Sequence, residues 1–335
     1  MTTQIVYSEI FRKHNDQSHP ENAERLNIMI EEIKNAPFYK DLEFIQPEIL
    51  PEEILYDIHS KKMIEQVKDL SLESKSWIDI DTYVCKSDFE TARLAAGGML
   101  QVCRNVIEGN ANNGFALIRP PGHHATKNRS MGFCLFNNAA IAANELTKKG
   151  KKVLIFDWDV HHGNGTQNIF YDRKDVMYQS FHLSPHYPGT GDFDEIGSGD
   201  GLGYTINAPL HHGKGNNAVT KILDEVFLPI SKQFKPDLII ISSGFDSHHL
   251  DPLGGLRLTT DFYGEITAKF QKVQPKIVGT LEGGYNFGWI GKCLVSQLGQ
   301  MTGKSVKFGD TATEVENATD VINEIKNEIG KYWKV

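Results

Sequence analysis

Short β-branched runs that alternate with helical patterns constrain this chain more than any other feature. Gln4 to Tyr7, Gly114 to Ile118, Lys151 to Phe156, Val176 to Ser180, Leu238 to Ser242 and Ile277 to Thr280 have the composition of strands. Phe89 to Val106, Asn138 to Lys148, Asn217 to Phe234, Thr260 to Lys269 and Trp289 to Leu298 repeat apolar residues at helical spacing. Parallel strands need long crossovers, and those crossovers cover both faces of a sheet, so the alternation predicts an α/β fold on a mostly parallel sheet. Thr311 to Lys331 predicts an outer C-terminal helical segment with one apolar stripe. Glycine and proline gather in short turns around residues 120–132, 184–203 and 251–255, and no linker divides the 335 residues, which predicts one domain over 1–335.

Polar clusters follow the predicted strands: Arg119 to His124, Asp157 to Asn164, Phe181-His182, Gly244 to Asp246 and Glu282 to Tyr285. Ligands of open parallel sheets bind beyond the carboxyl ends of the strands, so these clusters describe one pocket. Asp159 and His161 stand two apart after an apolar run, and period-two geometry turns both toward one side, where carboxylate and imidazole can share a divalent ion. Asp246, after the exit glycine of another strand, is the choice for third ligand. Three ligands leave positions open for water and substrate, as a catalytic zinc site requires. By itself an Asp-x-Asp-x-His run also suits a solvated turn; the convergence of clusters favours the metal.

His123-His124 follows the stiff Arg119-Pro120-Pro121-Gly122 and can aim two imidazoles into the same pocket, with Asp157 and Asn164 as acceptors that fix their tautomers. A neutral amide stabilises imidazolium less than a carboxylate does, so the histidine beside Asn164 stays available as a base near neutral pH. Tyr285, after Gly283-Gly284, can donate its phenolic proton to an oxyanion. The plainer alternatives are a structural histidine pair and a turn tyrosine with its hydroxyl in water. The segment His14 to Arg25 is a polar loop running into a helix, either capping it with surface ion pairs or lying on the rim of the pocket.

The formal charge of -8 and the scattered basic residues argue against direct nucleic-acid binding, and no apolar run is long enough to cross a bilayer. Cys85, Cys103, Cys134 and Cys293 show no close pairing, which suits a reducing compartment and predicts a cytoplasmic protein. Oligomeric state is left open.

Taken together, six ordered blocks resemble the zinc-dependent histone deacetylase family, closer to its class II branch and to bacterial and archaeal relatives that include acetylpolyamine amidohydrolases. They are His19-Pro20-Glu21 with Arg25, Arg119 to Ala125, Gly132-Phe133-Cys134, Asp157 to Gln167, Gly244-Phe245-Asp246 with Asp251 to Gly255, and Leu281 to Asn286. The resemblance implies an arginase/deacetylase-like three-layer αβα fold with an eight-stranded sheet. It implies that Asp159, His161 and Asp246 bind zinc, that His124 handles the main proton transfers, that His123 tunes electrostatics, and that Tyr285 assists from the far side. Asp157 would orient His123 and Asn164 would orient His124. A structural potassium ion is implied as well, held by carbonyls of Asp157, Asp159 and His161, the Ser180 hydroxyl and a carbonyl near Phe181. A carboxylate–imidazole site also accepts other divalent ions, ferrous iron among them.

Phe133 and Tyr187 are the candidate walls of a narrow channel for an amine stem, with core packing as the alternative for either ring. Leu253 stands where a polyamine-specific branch carries a glutamate, which leans toward acetyl-lysine. Asp81, with Asp79 as second choice, is a candidate rim residue for peptide amides, and a capping role is the alternative. The expected partner is therefore an acetylated lysine peptide or protein, or a small acylated amine, and the expected reaction is hydrolysis to acetate and free amine. Three competing readings follow: an acetylpolyamine or other small-amide deacetylase, a two-manganese ureohydrolase of the arginase type, and a catalytically inactive acyl-amine-binding scaffold.

Overall fold

Parallel pairing runs through the whole main sheet of this protein, seen here in a computed structural model that describes residues 2–335. The strands are β1 (Thr3–Val6), β2 (Leu42–Ile45), β3 (Lys75–Asp79), β4 (Thr82–Cys85), β5 (Asn113–Ala116), β6 (Val153–Asp157), β7 (Val176–Leu183), β8 (Thr205–Leu210), β9 (Leu238–Ser243) and β10 (Ile277–Leu281). Eight of them form one sheet in the order β2-β1-β5-β10-β9-β6-β7-β8, with helices on both sides; β3 and β4 form a separate antiparallel hairpin. The expected mostly parallel sheet is entirely parallel.

Every residue of β6 and β9 is buried, which is why these strands read as near-continuous apolar runs. Register then places the site. Asp157 at the end of β6 is level with Ser180 on β7 and Ser242 on β9, and Leu281 on β10 is level with Ser243. The polar residues that follow these positions therefore leave the sheet at one edge.

Strands with a mixed pattern escape sequence reading. β2 is a half-exposed edge strand of four residues, and β8, the other edge, carries Asn207 and Pro209, the latter tolerated because an edge strand has a ladder side free. The long helix expected over 217–234 is divided by a π-helical stretch at Leu223–Phe227. The outer C-terminal helix is shorter than expected and spans Thr319–Ile329. Residues 311–318 are not helical because their surroundings satisfy them otherwise. Asp310 accepts from Thr260 N, Glu314 accepts from Asn217 N at 3.0 Å, and Val315 N donates to Gly213 O at 2.8 Å.

The segment His14 to Arg25 makes one surface ion pair, Asp16 with Lys75, but its central pairs are buried. Glu21 is fully buried and accepts from Arg119 Nε and Nη2, one edge of the guanidinium, and from Arg25 Nη1 at 2.9 Å, with His14 Nε2 at 3.4 Å. This carboxylate ties the helix Glu24–Asn35 to the start of the Arg119-Pro120-Pro121 loop. Burial would lift the Glu21 carboxyl, but Arg119, His14 and Arg25 outweigh it and hold it well below its usual 4.5. A lowered carboxyl pKa stabilises the fold fully above pH 4.5, and that contribution is lost as pH falls through the folded-state value. Glu21→Gln, which strands two buried guanidiniums, is expected to cost about 3–5 kcal/mol at neutral pH. Urea denaturation at pH 7 and again at pH 4 measures this, and the gap between wild type and variant should narrow at the lower pH.

Candidate active site

Three side chains from two strand ends converge on one point. His161 Nδ1 lies 3.0 Å from Asp159 Oδ1 and 3.3 Å from Asp246 Oδ2, and one ligand atom of each residue falls within 4.8 Å of the others. Asp159 accepts from Gly283 N at Oδ2 (2.8 Å) and from His161 N at Oδ1 (2.9 Å), and Asp246 Oδ1 accepts from Val160 N at 2.8 Å, so backbone amides hold both oxygens of Asp159 and one of Asp246. Asp246 Oδ2 is buried and, although His161 Nδ1 approaches it, has no hydrogen bond among the described residues. An unsatisfied carboxylate oxygen is costly unless a cation completes it. Burial and then the charge of Asp159 push the Asp246 carboxyl up to about 7, while burial at Asp159 is outweighed by His123 and His161, which hold it far below the carboxylate range. Two carboxylates and an imidazole with an orphaned oxygen between them fit a small divalent cation such as zinc. Gly283 leaves the space, since a Cβ there would collide with Asp246 Oδ2 and Asp159 Oδ2.

The histidine pair stands beside this point. His123 Nδ1 is 3.0 Å from Asp157 Oδ2, and His124 Nδ1 is 2.8 Å from Asn164 Oδ1, with the rings 4.0 Å apart. Because Nδ1 of each donates to an oxygen, Nε2 is the nitrogen left for chemistry. Burial lowers the His123 pKa, yet Asp159 and Asp157 more than reverse this and raise it to about 10. Burial, His123 and His161 together press His124 well below 6.5. Two adjacent imidazoles thus have opposite tendencies, His123 charged and His124 neutral at pH 7.

A cavity of about 370 Å³ opens onto both groups, lined by Phe133, Tyr187, Leu253, Tyr285 and Asp81 among others. Phe133 has φ 69, a strained conformation for an aromatic residue, and its ring meets Tyr285 edge-on at 5.9 Å. Tyr187 meets His124 edge-on at 5.1 Å. Burial raises the Tyr285 hydroxyl well above its usual pKa, so it remains a donor. The Arg25 guanidinium lies 5.1 Å from the Tyr285 ring and donates to the carbonyls of Glu282 and Gly284 on either side of Gly283. Asp81 is on the cavity wall and its carbonyl accepts from His19 Nε2 at 3.1 Å; Asp79 instead pairs with Arg129. Ser180 and Phe181 are buried on β7, next to the end of β6, with Ser180 Oγ 2.9 Å from His182 Nδ1.

Other parts of the site were not assigned from sequence. The Glu282 carboxylate accepts from Gly122 N at 2.7 Å and His123 N at 3.1 Å, holding the backbone of the histidine pair. His186 lines the cavity, stacks on His161 at 4.9 Å, and bonds to the Leu253 carbonyl. The Tyr178 hydroxyl donates to Asp157 Oδ2 at 3.1 Å. Glu282 carried a signal, being a carboxylate at a strand end; His186 and Tyr178 act through contacts that spacing does not show.

Two further groups have ligand-like spacing. In His248, His249 and Asp310, His248 Nδ1 accepts from Leu250 N, which leaves its Nε2 protonated toward Asp310. His14, near Cys85 and Asp88, lies between Asp88 and Glu21; burial lowers its pKa but the two carboxylates raise it on balance, and its ring occupies the space between them.

Comparison with known proteins agrees with this geometry. A family profile described as histone deacetylase domain matches residues 19–301. A protein of Archaeoglobus fulgidus named probable deacetylase is 39% identical over 297 residues, covering 85% of this chain and 82% of the relative. Histone deacetylase 18 of Arabidopsis thaliana is 35% identical over 98% of this chain, which spans 52% of that longer protein. A crystal structure of the HDA15 HD domain superposes with a TM-score of 0.94 at 35% identity, covering 99% of this chain and 97% of the other.

The geometry predicts one high-affinity divalent site. Asp246→Ala should weaken zinc binding by more than the roughly 10- to 100-fold typical for loss of a supporting hydrogen-bond partner. Competition with a fluorescent chelator measures it, and unchanged affinity would remove Asp246 from the site.

Proposed function

The chain belongs to the histone deacetylase domain family, a family of deacetylating hydrolases, and on that premise we propose that it removes acyl groups from the side-chain amine of lysine by zinc-dependent hydrolysis. The observation that carries this reading is a single cavity lined by His124, Tyr285 and His161, the last of which belongs to the cluster with Asp159 and Asp246. Zinc bound there would polarise the acyl carbonyl and lower the pKa of the attacking water. Neutral His124 takes the water proton at Nε2 while Nδ1 stays bonded to Asn164. Tyr285 donates its phenolic hydrogen to the oxyanion that develops on the carbonyl oxygen. His124 then hands its proton to the leaving amine, so acetate and free amine result. His123, anchored on Asp157, contributes positive charge beside these steps, and burial together with His123 and His161 keeps the His124 pKa low.

We favour acyl-lysine over acetylpolyamine because Leu253 puts an apolar side chain on the cavity wall at the position where a polyamine-specific branch carries a glutamate. Phe133 and Tyr187 are the proposed flanks of the lysine stem, and Asp81 the proposed rim contact for peptide amides. The site also suits ferrous iron, and a potassium ion is proposed at the carbonyls of Asp157, Asp159 and His161 with Ser180 and Phe181, supported by the adjacency of β6 and β7. A cytoplasmic setting is proposed, which the buried free thiols of Cys85, Cys103, Cys134 and Cys293 suit.

Two measurements test the reading. Tyr285→Phe should lower kcat about 10²- to 10³-fold, as expected for loss of an oxyanion donor, with KM little changed. An acetyl-lysine peptide should be cleaved with higher kcat/KM than acetylputrescine, and Leu253→Glu should move that ratio toward the amine. Faster cleavage of acetylputrescine by the wild-type protein would overturn the substrate assignment.

A further inference from the structure

The motif Asp251-Pro252-Leu253-Gly254-Gly255 reaches the cavity wall through Pro252, Leu253 and Gly254, while its aspartate stands behind that wall and does not itself line the cavity. Its carboxylate instead gathers backbone amides from two loops. Asp251 Oδ2 accepts from Tyr285 N at 2.6 Å and from Asn286 N at 3.0 Å, and Asp251 Oδ1 accepts from Leu253 N at 3.0 Å. The loop after β9 and the loop after β10 are joined around it by Asn286 Nδ2 to Leu250 O at 2.6 Å and by Phe245 N to Gly283 O at 3.0 Å. The other backbone group of Leu253, its carbonyl, is bonded to His186 Nε2 at 3.2 Å.

One rigid, planar group thus holds the residue that carries the proposed oxyanion donor with one oxygen and the residue that walls the cavity with the other. Amide hydrogen bonds to a carboxylate are charge-assisted, and three on one group define position more tightly than any single contact. We propose that Asp251 is a positioning residue for the reaction, which fixes the Tyr285 hydroxyl relative to the Leu253 wall and so couples how deeply the acyl-lysine stem is seated to where its carbonyl meets the phenol. This inference rests on the role proposed for Tyr285.

An asparagine in place of Asp251 keeps the shape but offers a single acceptor oxygen, so it must release either Leu253 or the Tyr285–Asn286 pair. The test is a double-mutant cycle on the zinc-loaded protein with an acetyl-lysine peptide, using Asp251→Asn, Tyr285→Phe and the two combined. Asp251→Asn is expected to lower kcat about 10- to 100-fold, the scale of a misplaced catalytic group, with zinc content unchanged. In the Tyr285→Phe background the same substitution should cost less than about a third of that factor, because the hydroxyl it positions is already gone. A kcat for Asp251→Asn within about threefold of wild type, or a larger loss in the Tyr285→Phe background than stated, overturns the inference. Should Asp251→Asn fail to fold, Asp251→Glu, which keeps the charge and displaces both oxygens by a methylene, is carried through the same cycle with the same criteria. If Tyr285→Phe alone retains the full rate, the mechanism itself has failed; if Tyr285→Phe is impaired and Asp251→Asn is not, the fault lies with the role of Asp251.

Discussion

The hydrogen bond from Gly283 N to Asp159 Oδ2, 2.8 Å long, joins the loop after β10 to the carboxylate at the end of β6, and the rest of the site is arranged around it. Within the same loop the Glu282 carboxylate takes the amides of Gly122 and His123, and two residues after Gly283 the chain presents Tyr285. The loop can approach so closely only because Gly283 has no Cβ. Arg25 completes the arrangement by donating to the carbonyls of Glu282 and Gly284, and Glu21 in turn holds Arg25. A chain of buried hydrogen bonds thus runs from the amino-terminal helix to the cluster of Asp159, His161 and Asp246.

Electrostatics explain why so many acids are tolerated at one strand edge. Asp157, Asp159, Asp246 and Glu282 are all buried, and burial alone favours their neutral forms. Protein cations compensate part of this. His123 is raised to about 10 by Asp159 and Asp157 against its burial, and His161 likewise by Asp159 and Asp246. Asp246 is left with a pKa near 7 and an orphaned oxygen, the signature of a site that lacks one positive charge from the protein itself. Burial, with His123 and His161 beside it, keeps His124 out of this compensation and free to act as a base, while Asn164 holds its ring through Nδ1.

The α/β architecture was legible because fully buried parallel strands such as Leu238–Ser243 must be apolar throughout, and the site was legible because polar clusters followed them at once. Asp157, Asp159, His161 and Asn164 lie on eight consecutive residues, a spacing that suited a solvated turn as well until the clusters at Arg119 to His124, Gly244 to Asp246 and Glu282 to Tyr285 were set beside it. What stayed hidden had no local pattern. β8 reads as a loop because Asn207 and Pro209 interrupt it, and the stretch before Thr319 has a helical composition yet is irregular and bonded to Gly213, Asn217 and Thr260. The buried placement of Glu21 and Arg25 likewise depends on Arg119, which is distant in sequence.

Anomalous diffraction at the zinc edge, from crystals of Tyr285→Phe holding an uncleaved acetyl-lysine peptide, tests the central claim most directly. The account predicts one peak within bonding distance of Asp159, His161 and Asp246, with the acetyl carbonyl beside it and His124 Nε2 facing the carbonyl carbon. Two peaks about 3.5 Å apart, as in two-metal hydrolases, or a peak away from these three side chains, would contradict it.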